Sequence, residues 1–460
     1  MECFKVYVND IEGRLDCFYY KPEFVKLEKT LKRQTSKTLE EYIISIAGGA
    51  TPDKDETEKY YSNSTEGIPF LRVQNLSEEG LNLEGVKYIK PETHNGMLKR
   101  SQVKEGYLLT KITGVGRMAV SSVTPKGFEG NINQHIVAIK TESCKTSEVL
   151  AAFLNSDIGE RLAFRRSTGG TRPALDYEAL KTIPIVFKPE ILEIMQSVYK
   201  QKKQKKQDAE KLLGSIDKYV LTELGIKLPE LKDKKYYVVD SGEAKKRVDP
   251  YFYQPKYLAV EQTLKKSKYK LTYLKDTFSA KLVKGILPKQ EEKNGDANVL
   301  QIRNIQINGA IDISKHLTAK NIFSDEHKLN NGDVLIVITG ATIGKVGLWS
   351  FKRNNFYLGG DIVKFQPNDK FNPYYIQAFL LSDFGQIQIK RNITGATNKH
   401  LSPDDVEKIR IPIAPIDIQK RIAIEVKSHI EQAKRLETEA NSIIENARQE
   451  VETIILGKAK

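Results

Sequence analysis

The sequence predicts an α+β protein with two tandem, pseudo-symmetric domains separated by two long helices that form an antiparallel coiled coil. Three observations predict this fold. Sequence segments recur in the same order 226 to 233 residues apart, each copy contains β-rich runs followed by a helical segment, and each copy is followed by a long apolar pattern with helical spacing. An internal duplication of this kind governs the fold class.

The recurrence is clearest at four places along the chain. Arg14–Asp16 returns as Arg247–Asp249, FLRVQNL (70–76) as VLQIRNI (299–305), GYLLTKITG (106–114) as GDVLIVITG (332–340), and STGGT (167–171) as ITGAT (393–397). The order is kept while the offset drifts slowly. We therefore predict that the two copies share one fold.

Each copy follows the same plan. An arm at 14–34 or 247–267 is predicted to be helical, and apolar runs broken by Gly and Asn predict a twisted, mostly antiparallel sheet. One helical segment follows, then a polar Gly/Thr loop and a short strand-like run. The predicted segments are an N-terminal arm (1–35), a first domain (36–188), a central long helix (189–226), a linker with a second arm (227–267), a second domain (268–414) and a C-terminal long helix (415–460).

Two stretches are typical of single long helices. Pro189–Gly225 and Pro415–Gly457 each begin with proline and end with glycine. The first would be roughly 54 Å long at about 1.5 Å per residue. Apolar residues in the second recur at spacings of four and three, which favours a left-handed supercoil. An amphipathic helix packed on its own domain is the alternative.

Composition limits the class of protein and its partners. The formal net charge of +14 and the pI of about 9.2 suggest a polyanionic partner, most often nucleic acid. The N-terminus lacks the pattern of a secretory signal, and no apolar run approaches a membrane span. Cys3, Cys17 and Cys144 show no C-x-x-C spacing, so we predict a cytoplasmic protein without a structural zinc site.

Two kinds of loop are candidates for DNA contact. The Gly-rich turns after the central β-runs carry one basic residue each, Arg117 or Lys345, and could instead be tight turns between strands. The Gly/Thr loops carry basic and polar side chains suited to phosphate or base edges, although each could instead be a solvated loop that caps the next helix. The predicted DNA-binding residues are Arg117, Arg165, Arg166, Thr168, Thr171 and Arg172 in the first copy, and Lys345, Lys390, Arg391, Thr394, Thr397, Asn398 and Lys399 in the second.

The sequence contains no motif that points to catalysis. The turn at Thr339–Gly347 lacks the spacing of a phosphate-binding P-loop. Methyltransferase cofactor loops, zinc-ligand histidine spacings and nucleophile elbows do not occur in the sequence either. We therefore predict no catalytic, cofactor-binding or metal-binding residues in this chain.

The duplicated pattern resembles the specificity subunit of type I restriction-modification systems. The segments that carry this resemblance are GGATP (48–52), IPFLRVQNL (68–76), TGGTRPALDYEALKTIPI (168–185) and TGATNKHLSPDDVEKIRIPIAPIDIQKRIA (394–423). The resemblance covers nearly the whole chain. It implies that each domain is a target recognition domain for one half of a bipartite site on double-stranded DNA. It also implies that the paired helices dock two methylation subunits, which hold S-adenosylmethionine and the catalytic residues, and that restriction subunits join them.

Our hypothesis from the sequence is a non-catalytic DNA-recognition subunit of a phage-defence complex, without a cofactor of its own and without a membrane partner. RPALD in the first copy stands where the second has NKHLS, which implies two different half-sites and an asymmetric target. Two alternatives stay open. One is a self-contained DNA-modifying enzyme with an unrecognised site, and the other is a scaffold that binds DNA without reading its sequence.

Overall fold

The structure, a computed structural model, describes residues 4–6, 11–53, 55–227, 229, 236–239, 242, 247, 249–288, 295–320, 322–353, 355–395 and 399–458. For residues 264 and 265 it describes only the backbone. The chain divides into two compact units. Unit 1 comprises Met1–Gln204 and Glu439–Lys460, and unit 2 comprises Lys205–Thr438.

Unit 1 begins with a short helix and then alternates short strands with helical turns before a helical pair. Its elements, with the long helix that leads out of it, are α1 (Pro22–Lys32), β1 (Ser45–Gly48), α2 (Thr57–Tyr60), β2 (Tyr61–Ser62), β3 (Ile68–Leu71), β4 (Leu76–Ser77), β5 (Gly80–Leu81), β6 (Lys87–Ile89), α3 (Pro91–Asn95), β7 (Gln102–Lys104), β8 (Leu108–Lys111), β9 (Ser121–Val123), β10 (Glu129–Ile132), β11 (Ile136–Lys140), α4 (Cys144–Leu154), α5 (Asp157–Arg166), α6 (Tyr177–Lys181) and α7 (Pro189–Glu223).

The core of unit 1 lies on both faces of one antiparallel sheet. Its strands pair in the order β1-β11-β8-β9. Successive side chains of a strand point to opposite faces. Leu108 and Ile139 therefore pack among the helices, whereas Leu109 and Ala138 pack against a second sheet with the order β2-β6-β3-β10-β7, in which β3 and β10 are parallel.

Unit 2 repeats this plan. Its elements, with the long helix that leads out of it, are α8 (Pro255–Lys265), β12 (Leu271–Tyr273), β13 (Val283–Lys284), β14 (Ala297–Leu300), β15 (Leu317–Ala319), β16 (Val334–Val337), β17 (Val346–Leu348), β18 (Phe356–Leu358), β19 (Ile362–Phe365), α9 (Pro373–Leu381), α10 (Asp383–Asn392), α11 (Pro403–Glu407), β20 (Arg410–Pro412) and α12 (Ile416–Ile455). The predicted linker at 227–246 lies largely outside the described residues.

The sheets of unit 2 match those of unit 1. An antiparallel sheet in the order β13-β19-β16-β17 has Val334 and Phe365 on its helical face and Val337 and Ile362 on the other. The second sheet, β15-β14-β18, again contains one parallel pair. The α+β prediction is confirmed, but each unit has two main sheets where one was predicted. The central sheet is apolar on both faces, so its second face also needs a cover.

The single helix predicted before each Gly/Thr loop is in fact a pair of helices. Ser156 lies between α4 and α5 and caps α5, because its side chain accepts a hydrogen bond from the backbone N–H of Gly159 at 3.0 Å. A Cβ on Gly159 would lie 2.2 Å from the carbonyl oxygen of Phe153, so only glycine permits this tight reversal. Ser382 and Gly385 make the same junction between α9 and α10. The recurring Ser-Asp-x-Gly pattern therefore marks a helix break.

The two long helices occur close to the predicted bounds. Gly225 and Gly457 follow them with positive φ values of 65° and 63°, which is typical of glycine after a helix C-terminus. In unit 2 the helices run antiparallel. Ser215 bonds His429 at 3.1 Å, and Glu223 pairs with Arg421 at 3.1 Å.

Each unit uses one half of each long helix. In unit 1 the start of α7 packs with the end of α12, and Ile191, Val198 and Val451 lie in one core cluster. In unit 2 the end of α7 packs with the start of α12, and Val220 and Val426 share a cluster. The predicted apolar stripes are therefore buried within both units. No helix that the described residues form is both long and apolar enough to span a membrane.

Candidate nucleic-acid interface

Three loops of unit 1 meet at one end of the central sheet. They are 112–118 after β8, 132–135 before β11, and the Gly/Thr loop 167–175, and we call them loop cluster 1. The N–H of Ile112 donates to the carbonyl of His135 at 3.0 Å, and its carbonyl accepts the N–H of Leu175 at 2.8 Å. The N–H of Gly114 donates to the carbonyl of Pro173 at 3.1 Å. The sheet thus fixes all three loops.

Unit 2 has the same arrangement, loop cluster 2, formed by 338–344, 358–361 and, from the Gly/Thr loop, 393–395 and 399–401. The N–H of Ile338 donates to the carbonyl of Asp361 at 2.9 Å, and its carbonyl accepts the N–H of Leu401 at 2.8 Å. These bonds join the positions that the sequence repeat aligns. The repeat therefore predicts the backbone geometry of the site correctly.

The Gly/Thr loops are small closed hairpins. Thr168 and Ala174 exchange two backbone hydrogen bonds of 2.8 Å, and Thr394 and His400 do the same. Gly169 has a φ of 88°, which only glycine adopts without strain. The hydroxyls of Thr168 and Thr394 point back at carbonyls of their own loops, at 3.4 and 3.2 Å. They therefore stabilise the hairpins.

The Gly/Thr loops, and the end of α10 before the second loop, carry exposed side chains. In the first unit Thr168, Thr171 and Arg172 are exposed, and in the second Lys390, Thr394 and Lys399 are exposed. Thr397 and Asn398 lie outside the described residues. Arg172 and Lys399 project from equivalent loops beside Gly-rich backbone, which suits contact with phosphate or base edges. Their role in DNA binding remains a prediction.

Arg172 lies beside a histidine that the sequence analysis did not single out. Its guanidinium donates to Nε2 of His135 at 3.4 Å. Burial, and after it the charge of Arg172, lowers the pKa of His135 below its usual value of 6.5. The ring is therefore neutral at pH 7 and able to accept this bond.

This proximity gives a testable titration. We expect the ring of His135 to titrate below pH 6.5 and its midpoint to rise in Arg172→Ala, yet to stay below 6.5 because the burial remains. Histidine ring signals in NMR would measure this, with His135→Gln to assign the resonance. Since the unfolded chain binds this proton more tightly, acidification through that window should also destabilise unit 1. A midpoint unchanged by Arg172→Ala would contradict the contact.

Arg165 and Arg166 are buried, unlike the other basic residues predicted for the first loop. Each side chain is 3% exposed, and both guanidinium groups bind the carboxylate of Glu28, which is 6% exposed. Burial would raise the pKa of Glu28, but the two cations, Arg166 first, outweigh it and hold that pKa below its usual value. Both arginines tie α1 to α5 in this structure.

Arg391, the equivalent of Arg165, is less enclosed. It pairs with Glu261 at 2.9 Å, and the side chain of Glu261 is 49% exposed. In both units the arginine stacks on an aromatic ring of the arm, Tyr19 at 3.9 Å and Phe252 at 4.1 Å. The arginine of the Arg-x-Asp motif of the arm also lies over each ring, Arg14 at 4.8 Å and Arg247 at 4.7 Å. The repeated arm motif therefore places two guanidinium groups on one aromatic ring in each unit.

Arg117 and Lys345 occupy equivalent turns but different surroundings. Arg117 pairs with Glu78 at 3.3 Å, Asp157 at 3.1 Å and Glu160 at 3.4 Å, and its side chain is 18% exposed. Lys345 is partly buried in its turn. Arg117 is therefore engaged by acidic side chains of its own unit. Its predicted contact with DNA would require it to leave them.

Next to both loop clusters lie polar groups that the predictions omitted. Arg72 Nε and Gln301 Oε1, at equivalent positions after β3 and β14, are buried, and no hydrogen bond to them occurs among the described residues. Buried polar atoms of this kind are rare and need a partner. In unit 2, Gln301 lines an open groove of about 250 Å³ together with Arg303 and Asp361. The repeat offset alone could have pointed to these positions.

The family comparison fits this geometry. Residues 266–446 match the family model of the type I restriction modification DNA specificity domain. This match agrees with the resemblance predicted from the sequence, and loop cluster 2 lies inside the matched residues. Unit 1 has the same arrangement of sheets and the same backbone hydrogen bonds between loops as unit 2.

Solved structures of type I systems are similar to this chain at low identity. The S subunit from M. genitalium is 12% identical, with coverage of 92% of this chain and 94% of that chain and a TM-score of 0.41. The HsdS subunit from Thermoanaerobacter tengcongensis is 13% identical, with coverage of 92% and 95% and a TM-score of 0.35. A chain from a structure on complex assembly and conformational transition of the type I R-M system is 13% identical, with coverage of 92% and 96% and a TM-score of 0.43.

Proposed function

We propose that this chain is the DNA-recognition subunit of a type I restriction-modification complex and that each unit reads one half of a bipartite, asymmetric target. The observation that carries the proposal is the pair of loop clusters, which have the same backbone bonds but different side chains. His135 of loop cluster 1 corresponds to Asp361 of loop cluster 2, and Arg72 and Gln301 correspond to each other next to the clusters. Different donors and acceptors at equivalent places would select different bases.

The chemistry would belong to partner subunits. Among the described residues no group of three or more His, Cys, Asp or Glu side chains is placed to hold a metal ion. We propose that two methylation subunits dock on the long helices and bring S-adenosylmethionine and the catalytic residues, that restriction subunits complete the complex, and that it acts in the cytoplasm without a membrane partner. The α7 helix of 35 residues is about 52 Å long, more than the ~34 Å of one DNA turn.

Mapping methylated bases across the genome tests this function. Cells that carry this chain and its methylation subunit should show methylation at a two-part asymmetric motif. Deletion of this chain alone should abolish it, and a plasmid copy should restore it. Unchanged methylation after deletion would reject the proposal. Methylation by the purified chain with S-adenosylmethionine would favour a self-contained enzyme. Salt-sensitive binding that ignores DNA sequence would favour the scaffold.

A further inference from the structure

Unit 1 contains a cavity of about 190 Å³ that the reading of DNA does not use. It lies between the β4–β5 hairpin, strand β9, helix α4 and the two long-helix segments of this unit. Ala151, Leu192, Met195 and Val451 contribute apolar walls, and Glu148 stands among the polar residues that line it. The cavity lies where the long helices pack on α4, and Arg117 of loop cluster 1 reaches its edge by pairing with Glu78 at 3.3 Å.

The equivalent place in unit 2 is filled by the protein's own side chains. A Cβ on Gly309, in the hairpin that corresponds to β4–β5, would lie 2.6 Å from Cδ1 of Leu381 and 2.8 Å from Nε2 of Gln377. The same amide donates to the carbonyl of Gly309 at 2.9 Å. A Cβ on Gly80 of unit 1 would meet nothing within 4 Å. The space next to this glycine, which we call the seat, therefore exists in both units. Leu381 and Gln377 fill it in unit 2, and it is open in unit 1.

The residues of unit 1 at the positions of Gln377 and Leu381 explain why the cavity is open there. Ala151 stands where unit 2 has Gln377, and it has no side chain long enough to cross the seat. Asn155 stands where unit 2 has Leu381, and its amide turns away to bond the backbone N–H and carbonyl of Ser121, both at 2.8 Å. Unit 2 thus shows that a leucine-sized apolar group and a polar chain fit this space.

The charge at the cavity indicates the class of occupant. Glu78 and Glu79 are already paired, with Arg448 at 2.9 Å and with Lys202. The carboxylate of Glu148 pairs with no basic side chain in the part of the chain that the structure describes, and its near neighbour is the Cys144 thiol at 3.9 Å. An acidic lining repels DNA phosphates and attracts a cation. An apolar side chain next to a lysine or arginine would therefore suit this cavity.

We infer that the cavity is an anchor site for a protein partner, which inserts one apolar side chain and places a basic residue against Glu148. The inference rests on the docking role proposed above and takes the partner to be the methylation subunit bound at unit 1. Unit 2 fills its own seat, so the copy bound there has no such anchor. The two copies therefore bind with unequal affinity.

Cys144 provides a reporter on the chain itself. Its thiol is exposed next to Glu148, and Cys17, also exposed in unit 1, serves as the internal reference. We expect bound methylation subunit to slow alkylation of Cys144 at least tenfold in the full chain and to leave Cys17 unchanged, as measured by peptide mass spectrometry. Ala151→Gln, which copies the filler of unit 2, should abolish this protection.

Matched variants separate the anchor from general effects on folding. Because Glu148→Lys changes the surroundings of the Cys144 thiol, the alkylation rates of Cys144 with and without the partner are compared within each variant. Glu148→Lys should also remove the protection, whereas Glu84→Lys, an exposed charge reversal away from the cavity, should not. Native mass spectrometry should show that Ala151→Gln and Glu148→Lys weaken one of two binding steps at least tenfold. Equal weakening of both steps, or full protection in either variant, would overturn the inference. A wild-type chain that binds no methylation subunit would instead overturn the docking role.

Discussion

Glu28→Ala is expected to destabilise unit 1 by about 3–5 kcal/mol, because it leaves the buried Arg166 without a counter-charge and Arg165 with only Glu12, which is 3.7 Å away and 45% exposed. Arg165 and Arg166 are each 3% exposed, so little solvent reaches either guanidinium group. The change removes the carboxylate that offsets their desolvation. It should therefore loosen the contact between α1 and α5 that lies next to loop cluster 1.

The second unit offers the matched control. Glu261→Ala removes the equivalent carboxylate, but Glu261 is 49% exposed and its partner Arg391 keeps the stack on Phe252. We expect a loss below about 1 kcal/mol there. Peptide-level hydrogen exchange would report each unit separately, with α1 and α5 read against α8 and α10. Equal effects in both units would contradict the buried charge argument.

The same carboxylate should make unit 1 sensitive to acid. Its pKa lies below the ordinary value of 4.5 in the folded chain, so the unfolded chain takes up its proton first as the pH falls. The stability that Glu28 provides is therefore complete above pH 4.5 and is lost as the pH falls through its folded pKa. The Glu28→Ala variant should lack this part of the pH dependence.

Arg172→Ala and Lys399→Ala are each expected to weaken DNA binding at one half-site only. Loss of a base contact should weaken binding to the matching half-site by about 1–3 kcal/mol. Loss of a phosphate contact should instead weaken binding to all sequences alike and lower the slope of log affinity against log salt by about one. Competition between duplexes with one scrambled half would show the difference. If a variant no longer reads one half-site, scrambling that half of the duplex should lower its DNA affinity only slightly.

Controls for these variants come from exposed lysines on helices. Lys145→Ala in α4 and Lys218→Ala in α7 remove the same charge away from both loop clusters. They should leave half-site preference unchanged. If either loop variant keeps wild-type affinity and specificity, the assignment of its loop to DNA contact is wrong.

Local patterns predicted much of this fold. Proline, glycine and apolar spacing predicted both long helices, since those signals lie within one element. The break at Ser156 was missed, because the apolar spacing continues across it and only the close approach at Gly159 reveals it. The predicted single sheet is two sheets. β3 and β10, which pair in parallel, are far apart in the sequence.

The site was harder to predict than the fold. Arg165 and Arg166 precede a Gly-rich loop and read as surface cations, but their partner Glu28 lies 137 and 138 residues earlier in the chain. Arg117 is likewise engaged by acids from other elements. Burial of a charge depends on tertiary contacts, which one sequence does not display. The repeat alignment pairs His135 with Asp361 and so could have pointed to His135, although the sequence analysis did not single it out.

The shared helices also set the order in which a growing chain can complete its parts. Unit 2 is a continuous stretch, Lys205–Thr438, and all of it leaves the ribosome before residue 439. Unit 1 is made first, yet its core includes Ala447, Val451 and Ile455. The apolar face of Ile191 and Val198 therefore waits, uncovered by its native partner, while more than two hundred residues are synthesised. The half that is translated first is the half that finishes folding last.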